Sequence, residues 1–489
     1  MIKLLNVIRK ILLKLPLKIC FLLGQTIGLL FYFFDRKKRR VAFRNIKMAF
    51  SQKNYLEIHK ILKKSFLNFG VSLIETLIST RLINFVRLIV LDDSIFKDAG
   101  IIVPIHEGSW ELYNCFMGKK LKYKMFAKAQ KNLLGEFLNQ LRQDSNLKVC
   151  FSLKDAIRSL KENYTLGIVM DHGAEANALE IEFFSHLVPT PKGAVFLARK
   201  LNKKLYPCFG YRRNYFFHCI EIKGPIEVAN RGDEDILKEL NKIYEEYLNK
   251  YPYEYLWFYK RFKRKRDLEV LVLTDGKIGH FKQSGSFLSI IKESYPLVNS
   301  NFIEVKYKNK ISRIILEILT IFSSKNCLGC GRCLKFFLDK ETYSKLIKTY
   351  ADVIVSTGSI CAPVNRIFSY TLGAKSVNIL KPNVSLGKFE LCIIPEHDRV
   401  NSPNTVKIKG ALFFDTEVDK KIEECKRFFN LTNDKKISFF LGGPLLSYEE
   451  FTENLKLFLE ELKKFSLDKN YKILISTSRR TPSKLENFL

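Results

Sequence analysis

The arrangement of apolar and polar residues changes three times along the chain. Residues 19–34 form one apolar run without charge, and the basic cluster DRKKRR follows it almost immediately. Residues 55–90 then carry apolar side chains at helical spacing, which predicts amphipathic helices. Beyond residue 100, short apolar runs typical of strands alternate with helical segments. This alternation predicts an α/β fold.

The strand-like runs fall into two groups, on either side of the basic stretch WFYKRFKRKRD at 257–267. In the first group we predict strands at 100–105, 122–127, 147–151, 166–171, 179–184, 204–212 and 216–222. The second group opens with LEVLVLTDGKIGH, a buried strand that ends in a glycine-containing turn, as a Rossmann-like half does. Its further strands are predicted at 351–358, 375–380, 390–395, 436–443 and 471–478.

The length of 489 residues exceeds one ordinary domain. The patterns predict a membrane anchor with a basic flank at 1–40, an α/β domain at 41–267, a first Rossmann-like lobe at 268–398 and a second lobe at 399–489. About 90 residues follow PEHD at 395–398, which is short for a complete lobe of this kind. The alternatives are an abbreviated lobe and a fragment of a longer protein.

The apolar run at 19–34 is the predicted anchor. As a helix it spans about 24 Å, so it crosses a bilayer core of about 30 Å only if Lys14 and Lys18 extend to the surface. A buried core helix is the alternative. No small-residue cleavage site follows the run, which argues against a cleaved signal peptide. The basic cluster after it places the rest of the chain on the cytoplasmic side.

Charge favours a polyanionic partner. The formal net charge is +32, and residues 1–267 hold 48 Lys and Arg against 26 Asp and Glu. An anionic bilayer and nucleic acid are the two candidates, and the apolar run favours the bilayer. An A+T-rich genome, which encodes abundant lysine, explains part of the excess. The 11 cysteines lack the spacing of a disulfide scaffold, which indicates a reducing compartment.

The stretch IHEGSWELYN at 105–114 carries the first candidate chemistry. His106 and Glu111 follow a predicted strand, where the edge of a sheet presents functional groups. An imidazole can take a proton from a hydroxyl, and a carboxylate can orient it and stabilise the imidazolium. The alternative is a core histidine beside a solvated acid at a helix start.

IHEGSWE closely resembles the His-x-Gly-Asn-Trp-Glu signature of the bacterial lipid A acyltransferases. The resemblance covers residues 15–265 and includes RRVAFRNIKMAF, AKAQKNLLGEFLNQLR, GIVMDH, IEFFSHLVPTPKGAVFLARK and WFYKRFKRK. It implies a cell inner membrane enzyme, anchored at its N-terminus and facing the cytoplasm. The implied reaction moves an acyl chain from an acyl carrier protein thioester to a hydroxyl of a lipid A-type glycolipid, without a cofactor or metal.

The resemblance also implies roles for individual residues. His106 is the expected base and Glu111 its orienting partner. Arg142 is the expected contact to phosphate or oxyanion, and the remaining substrate-binding candidates are Asn132, Asp171 and Lys192. This chain departs from the family pattern at three positions, which bear on acceptor recognition: Ser109 replaces Asn, His172 replaces Gln and Ser185 replaces Gly.

TDGKIGHFKQSGSF at 274–287 resembles the entry motif of the elongated-mitochondria family of fission proteins, whose bacterial members look like GT-B glycosyltransferases. STGSICAPVNRIF, IIPEHD, FLGGP and STSRRTP recur in the family's order. The resemblance implies a Rossmann-like GT-B-type domain with a nucleotide-sugar cleft, and a non-catalytic binding module is the alternative. The candidate cleft residues are Asp275, Gly276, Lys277, Gly279, His280, Gln283, Gly442, Gly443, Ser478, Arg479 and Arg480.

CLGCGRC places Cys327, Cys330 and Cys333 at the spacing of iron–sulfur or zinc ligands, but no fourth ligand is adjacent. Unligated thiols are the alternative, and we expect no metal. For the whole chain we expect an acyltransferase fused to a glycosyltransferase-like domain. Acylation of another glycolipid, such as a phosphatidylinositol mannoside, is the alternative reaction. A membrane-bound scaffold or nucleic-acid-binding protein is the alternative class.

Overall fold

A computed structural model describes residues 2–128, 132–171, 178–259, 261–322, 330–414, 418–431, 435–442, 448–478, 481 and 483. The chain divides into two compact units, Met1–Phe414 and Asp415–Leu489. The first unit contains the N-terminal helices and two large sheets. The second contains one small sheet and two helices.

The first unit opens with helices that pack against one another. α2 is long and apolar enough to cross a bilayer, and most of its surface is not covered by protein. It packs along α4 through Gly24, Gly28 and Gly70, where an added Cβ at Gly28 would overlap the Phe66 carbonyl. Small residues allow this close helix contact. The helices are α1 (Ile2–Lys14), α2 (Leu17–Phe34), α3 (Arg36–Ala49), α4 (Tyr55–Leu77) and α5 (Ser79–Leu82).

A seven-stranded sheet follows, in the order β1-β9-β8-β2-β5-β3-β4. Its pairs are parallel except for the hairpin of β8 and β9. The strands are β1 (Val86–Val90), β2 (Ile101–Val103), β3 (Tyr123–Phe126), β4 (Lys148–Cys150), β5 (Thr165–Gly167), β8 (Leu205–Asn214) and β9 (Phe217–Ile222). A separate hairpin joins β6 (Leu179–Phe183) and β7 (His186–Thr190).

Helices cover this sheet and bury its apolar side chains in two core clusters, with Ile101 and Val103 in one and Ile102 in the other. They are α6 (Ser94–Lys97), α7 (Trp110–Lys120), α8 (Leu133–Asp144), α9 (Leu153–Lys161), α10 (Gly193–Lys200) and α11 (Asp233–Lys250).

The six-stranded sheet is wholly parallel, in the order β11-β10-β12-β13-β14-β15. The order reverses between β10 and β12, which is the switch point of a doubly wound fold. The strands are β10 (Leu268–Thr274), β11 (Val298–Glu304), β12 (Val353–Thr357), β13 (Lys375–Ile379), β14 (Leu391–Pro395) and β15 (Thr405–Ile408). The helices are α12 (Ile278–Ser294), α13 (Lys310–Phe322), α14 (Cys330–Phe337), α15 (Lys340–Lys348) and α16 (Ala362–Leu372).

The second unit pairs two parallel strands, β16 (Lys435–Leu441) and β17 (Tyr471–Thr477). Its helices are α17 (Val418–Phe428) and α18 (Tyr448–Lys469). Leu441 and Leu455 form its small core, with Phe439, Phe451 and Leu459 packed around them.

The α/β fold class predicted from the sequence is confirmed, and each predicted strand overlaps a strand of the structure. Four strands were not predicted: β1, β7, β11 and β15. β15 lies beyond residue 398, where we placed the end of the first lobe, yet it pairs with β14 in the same sheet. The boundaries of the four predicted segments remain a prediction.

An ion-pair network joins the two sheets of the first unit. Lys265 Nζ lies 2.7 Å from Asp267 Oδ2 and 2.8 Å from Asp352 Oδ2. Arg44, on α3, also pairs with Asp352, and His186 Nδ1 lies 2.6 Å from Asp267 Oδ2. The side chains of Lys265, Asp267 and Asp352 are each at least nine-tenths buried. The network therefore ties the part that carries the seven-stranded sheet to the part that carries the six-stranded sheet.

Two features bear on metal binding. Near the network, His186, Asp267 and Glu269 place possible ligand atoms within 4.8 Å of one another. The Lys265 ammonium already pairs with Asp267 there, so the cluster has its own cation. Of the CLGCGRC motif, Cys327 and the Cys330 side chain lie outside the described residues, and Cys333 is half-buried on α14.

Candidate active site

His106 and Asp171 lie at the same edge of the seven-stranded sheet. His106 follows β2 and Asp171 follows β5, and these two strands are parallel neighbours. Backbone hydrogen bonds extend the pairing past the strand ends, from Ile168 N to Ile102 O and from Met170 N to Pro104 O. The carboxyl ends of the two strands therefore bring together residues that are 65 positions apart.

Asp171 holds the His106 imidazole by two contacts. Its Oδ1 lies 2.7 Å from His106 Nδ1, and its Oδ2 accepts from the His106 backbone N–H at 3.0 Å. The bond to a carboxylate keeps a proton on Nδ1, so Nε2 carries the basic lone pair of the neutral ring. The His106 side chain is 17% exposed and that of Asp171 3% exposed. The structure thus presents an oriented imidazole with a buried acid behind it.

Opposing effects set the ionisation of this pair. Burial lowers the pKa of His106, but the charge of Asp171, its hydrogen bond and the more distant charge of Glu111 raise it, and the net pKa is raised. Burial raises the pKa of Asp171, but the His106 charge and hydrogen bonds lower it to about 2. Asp171 is therefore ionised at neutral pH, which favours the imidazolium that forms when His106 takes a proton.

Glu111 contacts a different side chain from the one that we predicted. It lies on the first turn of α7, and its carboxylate accepts two hydrogen bonds from Arg142 on α8, at 3.0 Å from Nε and 2.6 Å from Nη2. Among the described residues, the carboxylate bonded to the His106 ring is that of Asp171. The Glu111–Arg142 pair joins α7 to α8, and the charge of Glu111 contributes to the raised pKa of His106.

Residues 256–259 pack against the loop that carries His106. The Tyr259 ring stacks on the imidazole, with centroids 4.9 Å apart, and Trp110 meets it edge-on at 5.8 Å. Backbone bonds fix the approach, from Leu256 N to His106 O at 3.0 Å and from Gly108 N to Glu254 O at 2.8 Å. The resemblance at 257–265 therefore corresponds to one wall of the site.

Arg261 is a residue near the site that we did not select, although it lies in WFYKRFKRK, one of the stretches that carry the resemblance. Its guanidinium is buried and donates to Pro189 O at 2.7 Å and to Thr190 Oγ1 at 2.8 Å. The charges of Arg261 and Asp171 are close enough to shift each other's pKa. The motif could have identified it, since a buried arginine needs a nearby acid.

Behind α7 lies a buried polar network that had no signal in the sequence. Glu75 on α4 accepts from Arg212 Nη2 at 2.6 Å and lies 2.8 Å from His218 Nε2. The other ring nitrogen of His218 lies 2.8 Å from the Tyr113 hydroxyl on α7. Each member comes from a different element, α4, β8, β9 and α7. The network fixes α7, whose first turn carries Glu111, against the sheet.

Glu107 and Glu254 are buried acids beside the loop that carries His106. Burial raises the pKa of Glu107 well above its usual range, and that of Glu254 to about 7. Glu107 Oε1 accepts from Gly210 N at 2.8 Å, and Glu254 accepts from Asn68 at 2.7 Å. Burial therefore disfavours the charged form of Glu107.

The second set of candidates gathers at the switch point of the six-stranded sheet. Asp275 follows β10, and its carboxylate lies 3.0 Å from His280 Nδ1 and 3.3 Å from Lys277 Nζ. Gly276 has φ +79°, a backbone conformation that favours glycine. Gly358, after β12, has its Cα beside the His280 ring, where a Cβ would lie 2.8 Å from Cε1. The structure therefore brings the TDGKIGH and STGS motifs together.

The other nucleotide-sugar candidates have contacts of their own. Gly279 is on the first turn of α12, and Gln283 Oε1 accepts from Leu412 N at 3.4 Å. In the second unit, Gly442 and Ser478 follow β16 and β17, and Thr481 bonds to both. Gly443, Arg479 and Arg480 lie outside the described residues.

Comparisons with known proteins identify both parts of the chain. The sequence model of the family described as bacterial lipid A biosynthesis acyltransferase matches residues 1–264, which is more than half of the chain. The chain belongs to this family. The model described as mitochondrial fission ELM1 matches residues 316–489. Both predicted resemblances are confirmed, and the chain is an acyltransferase.

Curated relatives agree with the family. A lipid A biosynthesis palmitoleoyltransferase of Escherichia coli K12 is 22% identical over 267 residues, 52% of this chain and 87% of the relative. A lipid A biosynthesis lauroyltransferase of the same strain is 24% identical over 272 residues, which are 52% of this chain and 88% of the relative. The crystal structure of the 1-acyl-sn-glycerophosphate acyltransferase PlsC from Thermotoga maritima is similar at 13% identity, over 44% of this chain and 95% of that one, with a TM-score of 0.25.

The remaining candidate residues of this lipid A acyltransferase family member do not contact the His106 ring by any contact found among the described residues. Asn132 caps α8, where its side chain accepts from Gly135 N at 2.8 Å. Lys192 precedes α10, and the contacts of the described residues do not join it to His106. Ser109 begins α7 and is buried, with no hydrogen bond from its hydroxyl among the described residues. Ser185 lies in the β6–β7 turn, and His172 is outside the description.

Proposed function

We propose that the N-terminal part of the chain transfers a fatty acyl group to a hydroxyl of a lipid A-type glycolipid precursor, with His106 as the base. The observation that carries this proposal is the His106–Asp171 pair at the edge of the sheet. The acceptor hydroxyl gives its proton to Nε2 while its oxygen attacks the thioester carbonyl. The carbon–sulfur bond then breaks, and the leaving thiolate takes the proton from the imidazolium.

Asp171, in place of Glu111, is the proposed orienting acid. Its carboxylate bonds to Nδ1 and to the backbone N–H of the same residue, which fixes both the tautomer and the position of the ring. Glu111 and Arg142 neutralise each other in a two-bond pair. We propose that this pair positions α7 and adjusts the charge near the imidazole. Arg142 can then bind an anionic group of the substrate only when it releases Glu111.

The proposed donor is an acyl carrier protein thioester at the cytoplasmic face of the inner membrane. Two features support this. The chain has a net charge of +32, which favours an acidic carrier protein and phosphorylated lipids. The basic residues at the start of α3 follow α2 directly, and such residues remain on the cytoplasmic side of a membrane helix.

Mass spectrometry of lipid products tests the substrates. The purified full chain is offered acyl carrier protein thioesters with a lipid A precursor or with phosphatidylinositol mannoside. A mass increase of one acyl chain on the lipid A precursor supports the proposal. Acylation of the mannoside alone would identify phosphatidylinositol mannoside as the acceptor in place of the lipid A precursor. Acylation of neither lipid, with salt-dependent binding to DNA or RNA, favours the nucleic-acid alternative.

A nucleotide-sugar site is the second candidate function. We propose it at the switch point between β10 and β12, because Asp275, Lys277 and His280 converge there and the Gly358 backbone packs against the His280 ring. Open α/β sheets bind ligands at this position. Equilibrium binding of nucleotide sugars to the full chain tests it. Binding that His280→Ala weakens supports the site, and unchanged binding in that variant places the ligand elsewhere.

A further inference from the structure

α13 has its polarity reversed relative to an ordinary surface helix. Its outward face is apolar, with Ile318 48% exposed and Phe322 82% exposed. The members of this face recur at intervals of three or four residues, which aligns them on one side. We call it the outer face of α13, and it consists of Ile311, Ile314, Ile315, Ile318, Leu319, Ile321 and Phe322.

The opposite face of α13 carries the polar residues and turns toward the protein. Leu316 and Thr320 are buried, and Arg313 and Glu317 form a partly buried ion pair of 3.4 Å. A helix in contact with water places its charges outside and its apolar side chains inside. The reversed arrangement indicates that the surroundings of the outer face are apolar.

α13 is joined to the region of the apolar helix α2 through α16. Both α3, which follows α2 after Asp35, and α13 pack against α16. Lys388 donates to the carbonyls of Thr320 and Ile321 at the end of α13. α2 also exposes large apolar side chains. The two unpartnered apolar surfaces therefore belong to one connected part of the first unit.

Basic side chains converge at this junction. Arg40 on α3 and Arg366 on α16 both lie over the Tyr370 ring, 5.0 and 5.4 Å from its centroid. Arg366 is 8% exposed, and its Nε has no hydrogen-bond partner among the described residues. Burial and the Arg366 charge lower the pKa of Lys388. These cations attract an anionic group at the edge of the apolar surface.

We propose that the outer face of α13 lies in the interface of an anionic phospholipid bilayer, with Arg40, Arg366 and Lys388 beside a lipid phosphate. The second half of the chain then has its own membrane contact, separate from α2. A helix of this kind lies in the plane of the interface without crossing it.

A bilayer explains the surface better than a second copy of the chain does. The three junction cations outnumber the one acid that acts on them, Glu390 beside Arg366, so two copies that met there would repel each other. A phospholipid surface supplies both an apolar layer and an anionic layer next to each other. The outer face and the junction cations require both.

Photo-crosslinking of the full chain tests the proposal. A photoreactive p-benzoylphenylalanine replaces Ile318, and the protein is reconstituted in phosphatidylethanolamine and phosphatidylglycerol vesicles and irradiated. The control carries the same group in place of Glu234, which is 61% exposed on the acidic helix α11. Acyl transfer by each variant verifies that it is folded. We expect at least about ten-fold more phospholipid adduct at 318 than at 234.

Two further outcomes decide the proposal. Crosslinks from position 318 to a second copy of the chain, or equal lipid adduct at both positions, would overturn it. The phosphate contact is tested with Arg366→Gln in the same background. We expect replacement of phosphatidylglycerol by phosphatidylcholine to reduce the adduct at 318 in the parent, and to have little effect when Arg366 is absent. Equal lipid dependence in both proteins would overturn the phosphate contact.

Discussion

At the scale of single residues, the pKa of His106 results from burial and from the carboxylates around the ring. Burial favours the neutral imidazole, whereas Asp171 and, at greater distance, Glu111 favour the imidazolium. A base with a raised pKa accepts a proton more readily but is unprotonated only at higher pH. The activity should therefore rise with pH through a value above the ordinary 6.5 or so of histidine.

The substitution Asp171→Asn removes the main effect that raises this pKa. Burial then dominates, so we expect the acid limb of the pH–rate profile to move to lower pH. We also expect kcat to fall by about 10²–10⁴, because the amide no longer fixes the tautomer or stabilises the imidazolium. The profile is measured with the thioester in excess. An unchanged acid limb would contradict the pairing of His106 with Asp171.

Substitutions of Glu111 and Arg142 should shift the acid limb of the pH–rate profile in opposite directions. Glu111→Gln removes a negative charge near the imidazole, so the acid limb should move to lower pH. Arg142→Gln leaves the Glu111 charge uncompensated, so the acid limb should move to higher pH. Both variants lose the two hydrogen bonds between Arg142 and Glu111. Any effect of that loss on the packing of α7 against α8 is therefore common to both. Shifts in the same direction would show that the pair does not act on His106 through charge.

From the sequence we selected His106, Glu111 and Asp171 as candidates, but we placed Glu111 beside the imidazole, where the structure has Asp171. The local motif favours Glu111, which is five positions from His106, over Asp171, which is 65 positions away. Asp171 becomes the neighbour only because β2 and β5 are adjacent in the sheet. Strand order depends on long-range contacts, and no local pattern in a single chain encodes it.

At the scale of elements, the contact between α2 and α4 depends on glycine. Gly28→Leu places a side chain where the backbone of α4 lies, so the helices must separate. We expect a loss of about 1–3 kcal/mol in the free energy of unfolding, as in overpacked cores. Thermal unfolding in detergent measures it, with Gly193→Leu as the control because that site is open. Equal stability of both variants would contradict the close contact.

Each strand that we did not predict pairs with one neighbouring strand in the structure. β1, β11 and β15 are edge strands with polar or exposed residues, and β7 belongs to a separate two-stranded hairpin. A buried central strand such as β10 has a continuous apolar run, which the sequence displays directly. An edge strand is defined by the partner that it pairs with. The sequence therefore predicts the centre of each sheet better than its margins.

At the scale of the whole molecule, the network around Asp352 couples the two sheets of the first unit. Asp352→Ala leaves Arg44 and Lys265 without this acid, and removal of one partner of a buried ion pair typically costs about 3–5 kcal/mol. We expect the variant to unfold in two thermal transitions, where the parent shows one for this unit. Asp233→Ala, which breaks a surface pair with Arg199, is the control. A single unshifted transition would contradict the coupling.

The central claim is that His106 takes the proton of the acceptor hydroxyl. The most direct measurement is the single-turnover rate of acyl transfer from acyl carrier protein thioester to lipid A precursor by the purified full chain, with and without His106→Ala. Thermal unfolding and vesicle binding of both proteins establish that fold and membrane association are retained. The account predicts a loss of at least about 10³-fold in the variant. A variant that transfers the acyl chain within about ten-fold of the parent rate would contradict it.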